Sequence, residues 1–324
     1  MKLILVYVGM TITCKMVYIE EVILVGKITS NNRLLRKVAV LLAAFNGMKW
    51  INEQINSIVH QENIELILFV SVDLSDDGTY EFIQKLALVH QNIQILPYGE
   101  RFGGAAPNFF HLIKDVEFSG FDYVAFADQD DIWMENKLSH AIAKIESKNL
   151  DALSSDVIAF WPDGRERLVK KSYSQKQFDY YFEAAGPGCT YVFKQSALSK
   201  FKVFLQQNWQ QINEVDLHDW MIYSYFRAQS MKWLIDEEPL MRYRQHEENQ
   251  VGFNSGFSAY SKRIGMVNGG WYRGQVLKIV RLLQLRNESE FNLSRWFLIK
   301  NFLELRRRPR DAYALVIMLL LGVF

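Results

Sequence analysis

Cysteine is nearly absent. The 324 residues hold two, Cys14 and Cys189, far apart and in no metal-ligand spacing. That argues against a disulfide framework and makes a reducing compartment the default. Proline is also scarce, at six. With no linker-like, low-complexity or solenoid-period stretch, modules on flexible tethers and repeat arrays are excluded. Charge of either sign is not in excess: 37 Lys and Arg stand against 36 Asp and Glu, so the total gives no reason to expect a nucleic acid partner. No run of about 20 apolar residues exists, which argues against a spanning helix. Met1 to Cys14 is apolar behind Lys2, but Lys15, Glu20, Glu21 and Lys27 soon interrupt it, and no small-x-small cleavage pattern follows. Residues 1–35 are therefore read as an N-terminal extension rather than a leader, with the organised domain starting near Arg36.

What is present is an ordinary globular balance, 49% hydrophobic and 23% charged, in a chain long enough for one large α/β domain with extra helices. Strand and helix patterns alternate. Val38 to Ala43 is a continuous apolar run, as in a strand buried on both faces. Asn46-Gly47 then signals a turn, and Met48 to His60 reads as a helix. Leu66–Val72, Ile93–Leu96, Tyr123–Ala127 and Leu153–Phe160 read as further strands. Tyr80–Val89, Ala105–Val116 and Glu135–Ser147 read as the helices between them. Such alternation predicts an α/β fold, a mostly parallel sheet flanked by helices. Ligands of such sheets bind beyond the carboxyl ends of the strands. The polar clusters at Asn46, Asp73–Asp77 and Asp128–Asp131 fall there. In the second half, Gly188–Phe193 reads as a strand, Leu217–Gln229 as a helix and Pro239–Arg244 as an edge strand. From about Gly269 the pattern is helical. Two parts are expected, a domain over 36–255 and a helical C-terminal region over 256–324.

The acidic knot Asp128-Gln129-Asp130-Asp131 carries the sharpest chemical signal. Three carboxylates in four residues repel each other unless a cation or hydrogen-bond donors offset them. A hard divalent ion such as Mg²⁺ or Mn²⁺ suits oxygen ligands and would also hold a diphosphate. The plainer reading is a set of helix-capping aspartates.

Val38-Ala-Val-Leu-Leu-Ala-Ala-Phe-Asn-Gly47 and Ala125-Phe-Ala-Asp-Gln-Asp-Asp-Ile-Trp133 resemble the motifs of glycosyltransferase family 2, whose fold is GT-A, a Rossmann-like sheet. Gly188-Cys-Thr-Tyr-Val-Phe193, His218-Asp-Trp220 and Tyr243-Arg-Gln-His246 with Asn249 are similar to its rhamnosyltransferase-like branch. The motifs occur in the family's order over roughly Val38 to Gly252. The resemblance implies an inverting transferase that moves a sugar from a nucleotide-sugar to a saccharide acceptor. L-rhamnose from dTDP-L-rhamnose is the implied donor, and a lipid-linked oligosaccharide or growing polysaccharide the implied acceptor, as in O-antigen or capsule assembly. Position by position, it implies that Ala43, Ala44, Asn46, Asp73, Arg101, Gly104, Asn108 and Asp128 bind the nucleotide-sugar. It places Asp130 and His246 on a Mg²⁺ or Mn²⁺ ion and makes Asp219 the general base. The chain departs from the family at Val72-Asp-Leu-Ser-Asp-Asp-Gly-Thr79, where one aspartate and the middle glycine of the usual pattern are replaced. Asp77-Gly78 reads there as a tight turn. Cys189 reads as a buried structural thiol, and the tryptophans as core.

Two rivals stand beside this reading. One is a sugar-phosphate nucleotidyltransferase, although Ala43 to Gly47 lacks the basic, glycine-rich loop that holds a triphosphate. The other is an inactive relative that scaffolds polysaccharide assembly. The expected location is cytoplasmic. Arg306, Arg307, Arg308 and Arg310 before the apolar run Ala312–Phe324 allow two arrangements, a helix lying on an anionic membrane surface or one packed on the domain.

Overall fold

The computed structural model describes residues 35–246, 270–284, 291–322 and 324. Cys14, Asn249, the 255/256 boundary and all but the last residue of the expected extension 1–35 lie outside them.

The first strand, β1 (Arg36–Ala44), is followed by α1 (Ile51–Val59), β2 (Ile64–Val72), α2 (Thr79–Val89), β3 (Ile93–Ile95), α3 (Ala105–Asp115) and β4 (Tyr123–Ala127). Next come the short β5 (Ile132–Trp133), α4 (Lys137–Ser147), β6 (Ala152–Ser155), β7 (Val157–Phe160), β8 (Glu166–Val169) and β9 (Val192–Lys194). Then follow α5 (Gln195–Gln207), α6 (Trp209–Ile212), α7 (His218–Ala228), β10 (Trp233–Asp236) and β11 (Met241–Arg244). The described C-terminal helices are α8 (Trp271–Gln284), α9 (Arg295–Lys300), α10 (Phe302–Leu305) and α11 (Pro309–Leu321).

Seven strands form the main sheet in the order β10-β6-β9-β4-β1-β2-β3, and all pair in parallel except β9, which runs antiparallel to β4 and β6. The apolar run of β1 is continuous because both faces are covered. Val38, Val40, Leu42 and Ala44 enter one core with Ile51, Ile55 and Leu138, while Ala39, Leu41 and Ala43 enter the other with Phe109, Phe126 and Phe193. The chain moves from β1 to β2 and β3 on one side and reaches β4 on the other. A crevice opens at such a reversal, beyond the carboxyl ends of the strands.

Four sequence expectations need correction. Leu153–Phe160 is not one strand: it breaks at Asp156, with β6 in the main sheet and β7 in a small sheet of order β5-β11-β7-β8. The buried Asp156 carboxylate causes the break, accepting from the Lys171 and Ser172 N–H groups and from Ser172 Oγ. β11 is no edge strand, since it lies between β5 and β7. Gly188–Thr190 is a 3₁₀ turn rather than strand, held by Thr190 Oγ1 donating to the Pro187 carbonyl at 2.7 Å. The helix expected from Met48 begins at Ile51, because the Gly47 carbonyl accepts from both Trp50 and Ile51 N–H.

The C-terminal helices share the core of the domain. Val276, Ile279, Leu298, Leu305, Leu315 and Leu319 are buried with Tyr181 and Tyr223. Arg307 donates to Asp179 Oδ2 (3.1 Å) and to the Ala184 carbonyl (2.5 Å), and Arg227 meets Asp179 from the other side at 2.9 Å. Arg306 donates to the Phe182 carbonyl (3.0 Å) and the Tyr272 hydroxyl (2.9 Å), so half of the arginine cluster is consumed inside the fold. No helix among the described residues is long and apolar enough to cross a membrane.

Candidate active site

Beyond the carboxyl ends of β1, β2 and β4 lies a cavity of about 1270 Å³. Every candidate from the sequence lines it: Ala43, Ala44, Asn46, Asp73, Arg101, Gly104, Asn108, Asp128, Asp130, Asp219 and His246.

The loops at the strand ends are fastened to one another. Asn46, with φ of 45°, receives the Asp76 N–H on its Oδ1 (3.1 Å) and gives its own N–H to Ser75 Oγ (3.0 Å). Gln129 grips Phe45 twice, accepting from its N–H (2.7 Å) and donating to its carbonyl (2.8 Å). A Cβ on Gly47 would lie 2.4 Å from Gln129 Oε1, so the close approach requires glycine there. Asp77 accepts from Met48 N–H (2.9 Å) and Thr79 N–H (3.0 Å). Burial acts to raise its pKa, but these bonds and the Thr79 hydroxyl prevail and lower it. Asp77-Gly78 is the expected turn, with Gly78 at φ 88°. Asp73 is 3% exposed, and both its oxygens are engaged: Oδ1 by the Leu74 and Phe102 N–H groups, Oδ2 by that of Gly103. It pins the loop that carries Arg101 and Gly104 to the cavity. Asn108 donates to the Ala44 and Ser71 carbonyls, while its buried Oδ1 has no partner among the described residues.

Residues 116 apart meet because β11 pairs antiparallel with β5, Met241 opposite Trp133. His246 Nε2 then lies 2.6 Å from Asp130 Oδ2, and its ring rests on Trp50 with centroids 4.0 Å apart. Arg244, two residues earlier, fastens the acidic knot: its N–H reaches Asp131 Oδ1 (3.0 Å), its Nε reaches the Asp130 carbonyl (2.7 Å), and its guanidinium pairs with Glu53. Asp131 caps no helix. It is fully buried behind the knot, off the cavity. Burial, then the charges of Asp130 and Asp219, pushes the Asp128 carboxyl up to about 7. Burial first, then Asp130 and Asp128, pushes Asp131 well above the usual range.

Two cation-binding sets can be drawn from these groups. Asp128, Asp131 and Cys189 bring ligand atoms within 4.8 Å of one another. However, Asp131 and Cys189 are off the cavity, and burial holds the Cys189 thiol well above its ordinary pKa. A protonated thiol suits a hard cation poorly. Asp128, Asp130 and His246 all face the cavity, with His246 against Asp130, and the two carboxylates offer the oxygen ligands that a hard divalent ion would take.

Asp219 sits in the first turn of α7. Leu217, not Asp219, is the N-cap, and Asp219 Oδ1 accepts from the Trp220 N–H at 2.7 Å. Burial raises its pKa to about 6, against the Trp220 N–H and the charge of Lys171. Its neighbour His218 stacks on Phe109 at 4.0 Å, and burial lowers its pKa to about 3, so the ring is neutral. Gly188 makes room for both. A Cβ there would stand 2.4 Å from His218 Nε2 and 3.3 Å from Asp219 Cβ. For the sugar transfer that the motifs imply, the Gly188→Ala variant is expected to displace this turn and lose about 10²-fold in rate with nucleotide-sugar affinity retained. Steady-state kinetics at saturating donor read this directly, and a variant as fast as the parent would show the turn tolerates the methyl.

The sequence reading missed Gln129, Arg244 and Gly188 as site-builders. All three lie inside the motifs that drew attention, but their work is to hold neighbours, which spacing does not reveal. It also missed the far wall, where Lys170, Lys171, Tyr272, Arg308 and Arg310 line the same cavity.

The profile of Glycosyl transferase family 2 matches residues 39–221. The chain belongs to that family. It is 44% identical over 289 residues to the dTDP-rhamnosyl transferase RfbG of Shigella flexneri, an alignment covering 87% of this chain and all of that one. A putative teichuronic acid biosynthesis glycosyltransferase, TuaG of Bacillus subtilis, is 28% identical over 101 residues, which is 31% of this chain and 38% of TuaG. Among solved structures, S. aureus TarS 1–349 in complex with UDP superposes with a TM-score of 0.52 at 16% identity, covering 78% of this chain and 67% of that one. The fold is GT-A, and the family 2 enzyme is a glycosyltransferase of the rhamnosyltransferase-like branch.

Proposed function

We propose that this enzyme transfers L-rhamnose from dTDP-L-rhamnose, with inversion, to a lipid-linked saccharide of a cell-surface polysaccharide, working in the cytoplasm at the membrane. The observation that carries this reading is the convergence of Asp219, Asp128, Asp130 and His246 on one cavity. Asp219, half-buried and with its pKa raised to about 6, is ionised at neutral pH yet basic enough to take a proton. It accepts the acceptor hydroxyl proton as that oxygen bonds to the anomeric carbon and the bond to the diphosphate breaks on the opposite face. One displacement with one base inverts the centre, by the logic of inverting glycoside hydrolysis. Ala43, Ala44, Asn46, Asn108 and Asp128 line the nucleotide-sugar, and Asp73 presents the Arg101–Gly104 loop to it. Asp128, Asp130 and His246 would hold Mg²⁺ or Mn²⁺, which offsets charge on the departing diphosphate.

The donor is tested by dTDP release from dTDP-L-rhamnose against UDP- and GDP-sugars, with and without Mn²⁺. Preference for dTDP-L-rhamnose is the expected result, and faster turnover of a UDP- or GDP-sugar would overturn the donor assignment.

Membrane attachment rests on α11. Its inner face packs on the core, while Ile317, Leu320 and Leu321 are 55%, 59% and 73% exposed, and Trp296 on α9 is 82% exposed. Arg295 and Arg310 belong to the same helices, which suits an anionic lipid surface. The full chain is expected to float with vesicles containing phosphatidylglycerol and to stay down with phosphatidylcholine alone. Ile317→Asp with Leu321→Asp should abolish flotation, and unchanged flotation would exclude this face.

A further inference from the structure

The cavity is larger than one ligand needs. Pockets for drug-sized molecules measure roughly 300–1,000 Å³, and this one reaches about 1270 Å³. The groups at the strand ends account for the donor side only. The far wall is built by the segment after β8 and by α11, and its chemistry differs. Lys171 is placed there by Asp156, which accepts its N–H, and by Gly186, where an added Cβ would stand 3.5 Å from the Lys171 stem. Arg308 is the N-cap residue of α11. Both line the cavity, as does Lys170, and no carboxylate among the described residues forms an ion pair with any of the three. By contrast, the neighbouring Arg306 and Arg307 are paired with Glu183. Burial lowers the Lys171 pKa, the charges of Arg307 and Arg306 act with it, and those of Glu183 and Asp219 oppose it. Cations left in this state on the wall of a cavity call for an anion.

One turn beyond Arg308 the wall holds Asp311, paired with Arg306 and Arg310. Past it, Ala314, Leu315 and Met318 face the cavity at helical spacing, so α11 lays a strip of carbon along the wall. The same helix turns Ile317 and Leu321 outward. In order from Asp219, the wall therefore offers a proton acceptor, a cationic group and a hydrocarbon path.

We propose that Lys171 and Arg308, with Lys170 beside them, bind a phosphate or diphosphate carried by the acceptor, and that Ala314, Leu315 and Met318 receive the first carbons of its lipid. This rests on the glycosyl-transfer reading of the site and deepens it: the acceptor is a lipid phosphate or diphosphate bearing a short saccharide. Lys171 lies close enough to Asp219 for their charges to interact, so the reacting hydroxyl belongs near the phosphate rather than at the tip of a long glycan. The reaction that supplies this substrate is then a sugar or sugar-phosphate transfer onto a lipid phosphate.

The test is calorimetric binding of farnesyl diphosphate to the full chain in chelator, with and without dTDP, beside inorganic pyrophosphate and uncharged decyl maltoside. Farnesyl diphosphate is expected to bind in the presence of dTDP, pyrophosphate more weakly, and the maltoside not to compete. Lys171→Met and Arg308→Met should each weaken farnesyl diphosphate about tenfold and leave dTDP affinity unchanged, while Lys171→Arg retains binding. Met318→Asp should weaken farnesyl diphosphate and spare pyrophosphate. A merely structural role for the Lys171 stem would make Met equal to the parent, which overturns the proposal. An equal loss of dTDP affinity would also overturn it, by assigning the cations to the donor diphosphate. If the parent chain failed to bind dTDP while the farnesyl diphosphate results held, the donor reading would fall and this one would stand.

Discussion

Replacing Asp219 with Asn is expected to lower transfer by about 10²–10⁴-fold, the usual contribution of a positioned base, while dTDP affinity and the melting temperature hold. Asparagine has the same shape, and its side-chain oxygen can still accept the Trp220 N–H that Asp219 now accepts at 2.7 Å. The first turn of α7 therefore keeps its geometry, and the only loss is the capacity to take a proton. The pH profile gives a second reading of the same group. Burial lifts the Asp219 carboxyl to about 6, against the Trp220 N–H and the charge of Lys171. The base works when ionised, so kcat should climb with pH through about 6 and level off above it. In the Asn variant the residual rate should lose that limb. A variant with near-parental kcat, or one that keeps the limb, would remove Asp219 from the reaction. Lys171→Met should move the limb upward, because the cation that favours the ionised carboxylate is gone.

The sheet was legible in the sequence for a physical reason. Strands buried on both faces, such as Val38–Ala44 and Tyr123–Ala127, read as unbroken apolar runs whatever lies around them. Elements whose extent depends on a distant partner were not legible. Leu153–Phe160 looks like one strand until Asp156 is seen to bind the N–H groups of Lys171 and Ser172, 15 and 16 residues away. Pro239–Arg244 looks like an edge because nothing local announces that β5 and β7 will flank it. The site divides in the same way. Asp128, Asp130, Asp219 and His246 stood out by residue type within ordered motifs, and one cavity receives them all. The far wall did not stand out. Lys170 and Lys171 sit in an unremarked polar segment, and the arginines at 306–310 read as a uniform basic cluster. In the fold they have opposite fates: Arg307 is 4% exposed and bound to Asp179, while Arg308 lines the cavity. Charge clusters show how much charge is present, and only packing shows which members remain free to bind.

Substituting Asp130 with Ala is expected to abolish metal-dependent turnover, and the reason lies in the balance of charge around Asp128. Burial and the charge of Asp130 together push the Asp128 carboxyl up to about 7, so ionising Asp128 there is costly unless a counter-ion offsets the charge. Under the proposed reading, Mg²⁺ or Mn²⁺ held by Asp128, Asp130 and His246 would offset that charge. Chelation of the parent enzyme should therefore stop transfer, and Mn²⁺ should restore it and raise the melting temperature, since binding only the folded chain stabilises it. In Asp130→Ala neither the rate nor the melting temperature should respond to Mn²⁺. Removing the neighbouring charge lets the Asp128 carboxyl fall toward its ordinary range, so this variant should not be less stable than the metal-free parent above pH 6. His246→Ala is expected to be milder. It keeps both carboxylates, so activity should return at a Mn²⁺ concentration higher by about 10–100-fold. These outcomes separate two roles that the pair at 2.6 Å could serve. If His246 merely neutralises Asp130, the parent would turn over fully in chelator and His246→Ala would fail at every Mn²⁺ concentration. That result would sink the metal while leaving Asp219 as the base.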